Sequence, residues 1–346
     1  MALLPSASGA MTIFDWAQRI DPDGKIAAFA MMLSQQNEML FDMPFIEGNL
    51  PTGHQASIET GLPTVVFRKL YQGVPPSKGS RATVTDLCGI AETRSEIDKA
   101  VADLNGNTRE FRAGETKRFI EAMNQRVQQA AIYGDASINP EEFNGFAVRY
   151  NTINVNNSEL ANNTISAGGS GNCTSVWLVG WGDEVTGIFP KGSKAGLEVE
   201  DLGVFDAFDA NNRRFRAVGE RYEWKPGLHI RDWRYVVRIC NISVSDLLAG
   251  TGTQAPTAST NLLRLMSRAQ ALVPGSNARF AFYGNRQVKG ALAAMALDRS
   301  QSVLSVQDAF EQFGKLGPGF PTKQLEFLGT PIRTVDRILS TETALT

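Results

Sequence analysis

Histidine is the side chain that exchanges protons near neutral pH and the commonest metal ligand, yet this chain holds only His54 and His229. Neither has an acid or thiol partner at ligand spacing, and catalysis needs convergent groups. Each is read as a hydrogen-bonded loop or strand histidine. Cys88, Cys173 and Cys240 are an odd number at wide spacing, with no C-x-x-C. That argues against a disulfide framework and a structural zinc site, and for a reducing compartment. Gly187-Ile188-Phe189-Pro190-Lys191-Gly192-Ser193-Lys194 has the outline of a phosphate-binding loop, but with Ser-Lys in place of Lys-Ser/Thr. The order matters, because the lysine must reach the β/γ-phosphates and the following hydroxyl the Mg²⁺. Pro190 also removes an N–H donor, and Ala195-Gly196-Leu197 leads toward Val199 rather than into a helix. A nucleotide- or phosphate-binding enzyme using Gly187–Lys194 is therefore only an alternative reading. Gly168-Gly169-Ser170-Gly171-Asn172 lacks the last glycine of a nucleophile elbow. The acid pairs Glu141-Glu142, Glu200-Asp201 and Asp206 with Asp209 read as solvated turns, since a working carboxylate pair needs a shared cleft. No catalytic, cofactor-binding or metal-binding residue is assigned.

Seven arginines lie between Arg213 and Arg238, interleaved with Glu220, Glu223 and Asp232. Such a run fits either nucleic-acid contact or ion pairing between subunits. The total of 34 Lys+Arg against 36 Asp+Glu, a net charge of −2, argues against a dedicated DNA binder. Hydrophobic residues at 42% and charged residues at 20% are ordinary for a packed chain. A chain of 346 residues can bury roughly 75% of its unfolded surface without metal or disulfide. The apolar run Ile26–Leu33 is too short for a membrane span, which needs about 20 residues. The N-terminus, with no basic segment, does not read as a secretory signal.

The elements that would position these residues are of mixed type. Residues 1–22 read as an extended arm, and 24–41 as a helix on the stripe Ile26, Phe29, Leu33 and Leu40. Glycine and proline recur from 48 to 91 around two β-rich patches, Thr64–Tyr71 and Arg81–Leu87, with a turn-rich tip over 72–80. That is an extended ribbon with little core of its own, and such a ribbon is marginal alone in water. Thr93 and Glu96 have capping-box spacing, and Ile97, Ala100, Val101 and Leu104 predict a helix behind them. A second helix is predicted over Glu115–Tyr133, with Phe119, Ile120, Met123, Val127, Ala130 and Ala131 on its apolar face. The apolar strand Thr174–Trp181 suggests a sheet covered on both faces, with Val185–Phe189 as its hairpin partner. A long β ribbon is predicted over 213–242, including a half-buried strand Arg231–Cys240. Trp177, Trp181, Trp224 and Trp233 read as core or interface anchors. Helices follow at 260–272, 285–297 and 306–313, and strands at 278–283, 324–328 and 331–334. The class is α+β. An arm, a ribbon, a long helix and a long β ribbon cannot all cover their apolar faces within one compact domain, which points to assembly.

In that order the elements resemble the major capsid proteins of tailed bacteriophages, the HK97-like shell fold. Met39-Leu40-Phe41-Asp42-Met43-Pro44-Phe45-Ile46-Glu47-Gly48-Asn49 is similar to a stretch in many such proteins. Phe327-Leu328-Gly329-Thr330-Pro331-Ile332-Arg333, followed by Asp336, Ile338 and Leu339, resembles the family's final strands. The resemblance implies an N-terminal arm over 1–49 and an extended loop over 50–92. It implies a peripheral domain over 93–145 and 206–249, with a spine helix and β ribbon. An axial domain over 146–205 and 250–346 would carry the C-terminal return strands.

The same resemblance implies pentamers and hexamers building an icosahedral shell around packaged double-stranded DNA, in a virion assembled in the host bacterial cytoplasm. Phe14 and Trp16 of the arm, and Tyr71, Lys78 and Arg81 of the loop, are the expected inter-subunit contacts. Arg213, Arg214 and Arg216 are the expected DNA-facing residues, touching phosphate without reading sequence. Implied partners are the chain itself, a separate scaffolding protein, a portal protein and a decoration or cement protein, with no membrane, no cofactor and no enzymatic activity. Some members join a loop lysine to an asparagine of another subunit. Lys78, with Lys69 deeper in the ribbon, is the natural donor, but no matching Asn and Glu pair is placed, so no cross-link is expected. An encapsulin-like compartment of the same fold is the nearest alternative. A trimeric tail or adhesin β protein conflicts with the helix at 115–133.

Overall fold

The structure is a computed structural model describing residues 37–103, 108–208, 211–249, 262–275, 278–297, 304–308 and 323–345. In chain order, the first elements are α1 (Met39–Asp42), β1 (Phe45–Glu47), β2 (Gly53–Gly61), β3 (Ser80–Leu87), β4 (Ala91–Asp98), α2 (Lys99–Ala102), α3 (Thr108–Tyr133) and α4 (Phe146–Arg149). Then come β5 (Thr164–Ser166), β6 (Cys173–Trp181), β7 (Val185–Phe189), β8 (Glu198–Phe208), β9 (Arg214–Trp224), β10 (Gly227–Ile230) and β11 (Val236–Ser243). The last are α5 (Val244–Ala249), α6 (Leu262–Leu272), β12 (Arg279–Gly284), α7 (Arg286–Leu297), β13 (Leu304–Asp308), β14 (Lys323–Phe327) and β15 (Thr330–Thr334). The described residues group into two compact units, one over 90–127 and 194–226, the other over 36–89, 128–193 and 227–346.

The smaller unit is an antiparallel sheet in the order β4-β9-β8 with the first five turns of α3. The ring of Phe119 stacks on that of Tyr222 at 5.4 Å, and Met123 and Val127 are buried. Arg112 pairs with Glu220 at 2.7 Å and with Asp201 at 2.8 Å, and Thr116 donates to Glu220 at 2.8 Å. On the sheet surface Arg221 meets Glu92 at 2.9 Å and Glu223 at 2.9 Å. The Arg221 hydrogen bond holds the Glu92 carboxyl down at about 2.

The helix predicted behind Thr93 is instead strand β4, with only the single turn α2 after it. Residues 91–98 alternate in burial, with Ser95 and Ile97 inward, and pair along β9 from Ala91↔Trp224 to Asp98↔Ala217. The cap is Asp98, whose side chain accepts from the Ala100 N–H at 2.8 Å. Sheet pairing thus outweighs the local capping signal. The helix predicted at 115–133 is present and begins earlier, giving 26 residues and about 39 Å. Ile120, assigned to its apolar face, is exposed.

The larger unit is built on a seven-stranded sheet in the order β13-β14-β15-β12-β6-β11-β5. Strand β6 is buried along its whole length. Its odd residues Trp177, Val179 and Trp181 pack with Phe146, Tyr150, Met39 and Ile132. Its even residues Val176 and Leu178 pack with Leu262 and Met266 of α6 and with Val288 and Leu292 of α7. The sheet is therefore covered on both faces, as the apolar run predicted. The hairpin between 174–181 and 185–189 does not form. β7 pairs instead in parallel with β1 and antiparallel with β10, in a separate three-stranded sheet.

The ribbon predicted over 213–242 is split. Strands β8 and β9 pair from Glu198↔Glu223 to Phe208↔Arg214, whereas β10 and β11 join the sheets of the larger unit. The half-buried strand expected over 231–240 is a turn of 3-10 helix at Trp233–Tyr235 followed by β11, which is buried on both faces. The Asp232 carboxylate accepts from the Arg234 backbone N–H at 2.9 Å, and that cap breaks the strand. Residues 304–308, partly assigned to a helix at 306–313, form β13, paired antiparallel with β14. Residues 309–313 lie outside the described residues, as does most of the helix predicted over 24–41.

A buried ion pair locks the last residues onto this sheet. Arg238 reaches Glu342 at 3.0 Å, the Tyr150 carbonyl at 2.8 Å and the Ser175 hydroxyl at 3.2 Å. Its guanidinium lies 4.9 Å from the Trp177 ring centroid. Ser175 and Tyr133 both donate to the Glu342 carboxylate.

Candidate assembly surface at the extended loop

Strands β2 and β3 form a ribbon with no sheet beyond it, in register from Gly53↔Leu87 to Gly61↔Ser80. A two-stranded ribbon has little hydrophobic face to hold it, so its root must be fixed by other means. Asp86 supplies the fixing. Its Oδ1 accepts from Arg149 at 2.7 Å, and its Oδ2 meets His229 Nδ1 at 2.8 Å and the Ile230 N–H at 3.3 Å. Burial pushes the Asp86 carboxyl up, yet the His229 hydrogen bond and the Arg149 charge together hold it below the usual carboxylate range. The Cys88 N–H donates to the Thr52 carbonyl at 2.9 Å. Gly53 is required here, because a Cβ at that position would stand 2.0 Å from the Asp86 carbonyl oxygen.

Beyond the root, Arg81 pairs across the ribbon with Glu59 at 3.1 Å, both exposed. At the tip, residues 62–79 leave the ladder. The Gln72 N–H donates to the Lys69 carbonyl at 3.2 Å, and Ser77 donates to the Thr64 carbonyl at 3.0 Å. Tyr71 sits at φ 67°, in the left-handed region that costs a side chain about 1–3 kcal/mol. This segment carries the largest group of uncovered apolar side chains among the described residues: Phe67 and Tyr71 are fully exposed, and Leu62, Val65 and Leu70 are each 86% exposed. An apolar patch of this kind marks an interaction site.

Tyr71 and Lys78 lie on the exposed tip, and Arg81 lies on the ribbon below it. Phe14 and Trp16 lie outside the described residues. Phe67 and Leu70, further exposed apolar residues of the tip, are not among the expected contacts, because Thr64–Tyr71 reads as a strand. Apolar content in a Gly/Pro-bounded segment was the available signal. Arg214 stacks over the Phe208 ring at 5.5 Å, and Arg213 and Arg216 are exposed beside it. The other four arginines from 213–238 are paired within the chain: Arg221 with Glu92, Arg231 with Glu184, Arg234 with Asp232, and Arg238 with Glu342.

The Gly187–Lys194 segment is not a phosphate cradle. Gly187, Ile188 and Phe189 are the central strand of a three-stranded sheet, and the Gly187 N–H donates to the Pro44 carbonyl at 2.8 Å. A Cβ at Gly187 would stand 2.7 Å from the Phe45 ring, so the glycine serves packing. No helix follows; the chain continues into β8. Among the described residues, no three His, Cys, Asp or Glu side chains gather to hold a metal, and no helix is long and apolar enough to cross a membrane. The three cysteines are free thiols, and burial pushes Cys88 and Cys240 up to about 11.

A long helix on an antiparallel sheet, a second unit around a doubly covered sheet, and an apolar-tipped extended loop define a subunit of the HK97-like shell-forming class. The family described as Major capsid protein GP7 matches residues 21–346, and the chain belongs to that family. Among solved structures, a chain from the near-atomic-resolution structure of bacteriophage Epsilon15 is similar over 100% of both chains, at 28% identity and a TM-score of 0.74. A capsid chain of the native GTA particle is 9% identical, covering 69% of this chain and 95% of that one, with a TM-score of 0.44. The SrpI encapsulin of Synechococcus elongatus PCC 7942 is 9% identical, covering 67% and 96%, with a TM-score of 0.43. No curated protein matches the sequence. The chain is a major capsid protein of a tailed phage, a structural subunit that assembles with copies of itself into an icosahedral shell.

Proposed function

We propose that this subunit forms pentamers and hexamers whose shell encloses packaged double-stranded DNA, and that the extended loop is the clasp between neighbours. The observation that carries this reading is the tip: Phe67, Leu70 and Tyr71 project into solvent from a ribbon that has no core beneath it. A neighbouring copy is the surface that would cover them, with Lys78 and Arg81 at the rim of the contact. We read residues 1–49 as an arm reaching another subunit through Phe14 and Trp16. We assign 50–92 to the loop, 93–145 and 206–249 to the peripheral domain, and 146–205 and 250–346 to the axial domain. Arg213, Arg214 and Arg216 would contact DNA phosphates, a sequence-independent and salt-sensitive interaction. Scaffolding, portal and decoration proteins are the partners to seek, and host-cytoplasmic assembly is the setting. Our reading is structural rather than enzymatic, supported by the use of the Gly187–Phe189 backbone in strand pairing. We expect no covalent cross-link at Lys78.

Electron microscopy of the chain expressed alone and with its genomic neighbours tests this. Closed shells, tubes or rings are expected, and dependence on a neighbour would identify a scaffold. A monodisperse monomer under all these conditions would overturn the proposal. Denaturing gels of particles test the cross-link, since a ladder of covalent multimers would contradict that part.

A further inference from the structure

The only two histidines of the chain, separated by about half its length in sequence, meet at the root of the extended loop. Their ring centroids are 4.6 Å apart in an edge-to-face arrangement. Strand register explains the meeting. His54 of β2 stands opposite Asp86 of β3, and Asp86 bonds His229 of β10 on its other side. The two imidazoles lean toward each other over one carboxylate. His229 is 1% exposed, and its Nε2 has no hydrogen-bond partner. The Nδ1 of His54 is likewise closed to solvent and without a partner.

The groups around His54 are Asp86 on β3 and, beyond it, Cys88 just after that strand, His229 on β10, and Arg149 of α4 across the carboxylate. The Asp86 oxygens are already engaged by Arg149, His229 and the Ile230 amide. Adding a proton to His54 Nδ1 would place a cation beside a second imidazole in a partly buried site, and both burial and the neighbouring ring disfavour the charged form. We propose that this cluster is a proton-sensitive hinge: protonation of His54 expels it from the root and frees the extended loop to change its angle, while neutral His54 holds the loop fixed.

Burial, and then the neighbouring His229, lower the His54 pKa below 6.5, with Asp86 opposing. The folded root therefore binds its proton more weakly than the open root does. The stability His54 lends is complete above pH 6.5 and is lost as pH falls through the lowered value.

Hydrogen exchange of the unassembled full-length subunit, corrected for intrinsic exchange, tests the hinge whether or not shells form. Failure here is thus separable from failure of the assembly proposal. Below pH 6.5, peptides covering 50–61 and 80–89 should open more often as pH falls, by up to about tenfold per pH unit, the slope set by one proton. Peptides of β6 and β11 should not share that slope. His54→Gln, which cannot titrate in this range, should remove it, and His54→Leu serves if the glutamine variant fails to fold. A root whose protection is independent of pH, or an acid slope that survives in the folded variant, would overturn the proposal.

Discussion

Replacing Phe67 by serine separates folding from assembly. The Phe67 side chain is fully exposed in the subunit, so its loss should change the stability of the isolated subunit by no more than about 0.5 kcal/mol. If a neighbouring copy covers it in the shell, the substitution removes the burial of one aromatic side chain, worth about 1.5–3 kcal/mol. At about 1.4 kcal/mol per tenfold, the concentration needed for assembly should rise about 10- to 100-fold. Light scattering across a dilution series gives that threshold, and denaturant unfolding of the unassembled subunit gives the control. Extending the change to Leu70→Ser and Tyr71→Ser should abolish assembly at micromolar concentration with the subunit still folded. An unchanged threshold for Phe67→Ser would refute the assignment of the tip as a contact. A loss of about 2 kcal/mol in the isolated subunit would show that Phe67 is covered by its own chain.

Other outcomes follow from the buried charges and the exposed arginines. Glu342→Leu strands Arg238 beside Trp177 and should cost about 3–5 kcal/mol, whereas adding Arg238→Met should recover much of it; a denaturant midpoint for the double variant no better than for the single would contradict the pairing. Asp86→Asn should loosen the loop root by leaving Arg149 without its counter-ion, seen as faster proteolysis at 50–90 with β6 still protected. Because the Asp86 carboxyl is held low, its contribution is present above pH 3.8 and lost as pH falls through the lowered value, and a melting series across that range should show the fall in wild type but not in Asp86→Asn. Arg213→Glu, Arg214→Glu and Arg216→Glu together should leave shell formation intact and reduce salt-sensitive retention of DNA; unchanged retention would remove these residues from the interior surface.

The parts of this fold that could be read from residues are those where local pattern and tertiary packing agree. Val176 to Trp181 is apolar at every position except Gly180, and the sheet is covered on both faces. The helices 262–272 and 286–297 carry their stripes where Leu262, Met266, Ala269, Val288 and Leu292 are buried. Readings failed where pairing partners far away in sequence decided the outcome. Thr93 and Glu96 imitate a helix start, but β9 offers eight paired positions along 91–98. Val65, Val66 and Phe67 have strand-forming side chains, yet the ladder lies at 53–61 and 80–87 and leaves them uncovered. The histidine cluster was illegible for the same reason: β2, β3 and β10 come together only through the fold, and neither histidine has a partner nearby in sequence.

The most direct test of the account is a cryo-electron-microscopy reconstruction of assembled particles, traced through residues 62–79. The account predicts that Phe67, Leu70 and Tyr71 lie against an adjacent copy of the chain, buried where they were exposed. A loop tip still in solvent, or folded onto its own subunit in a closed shell, would contradict it.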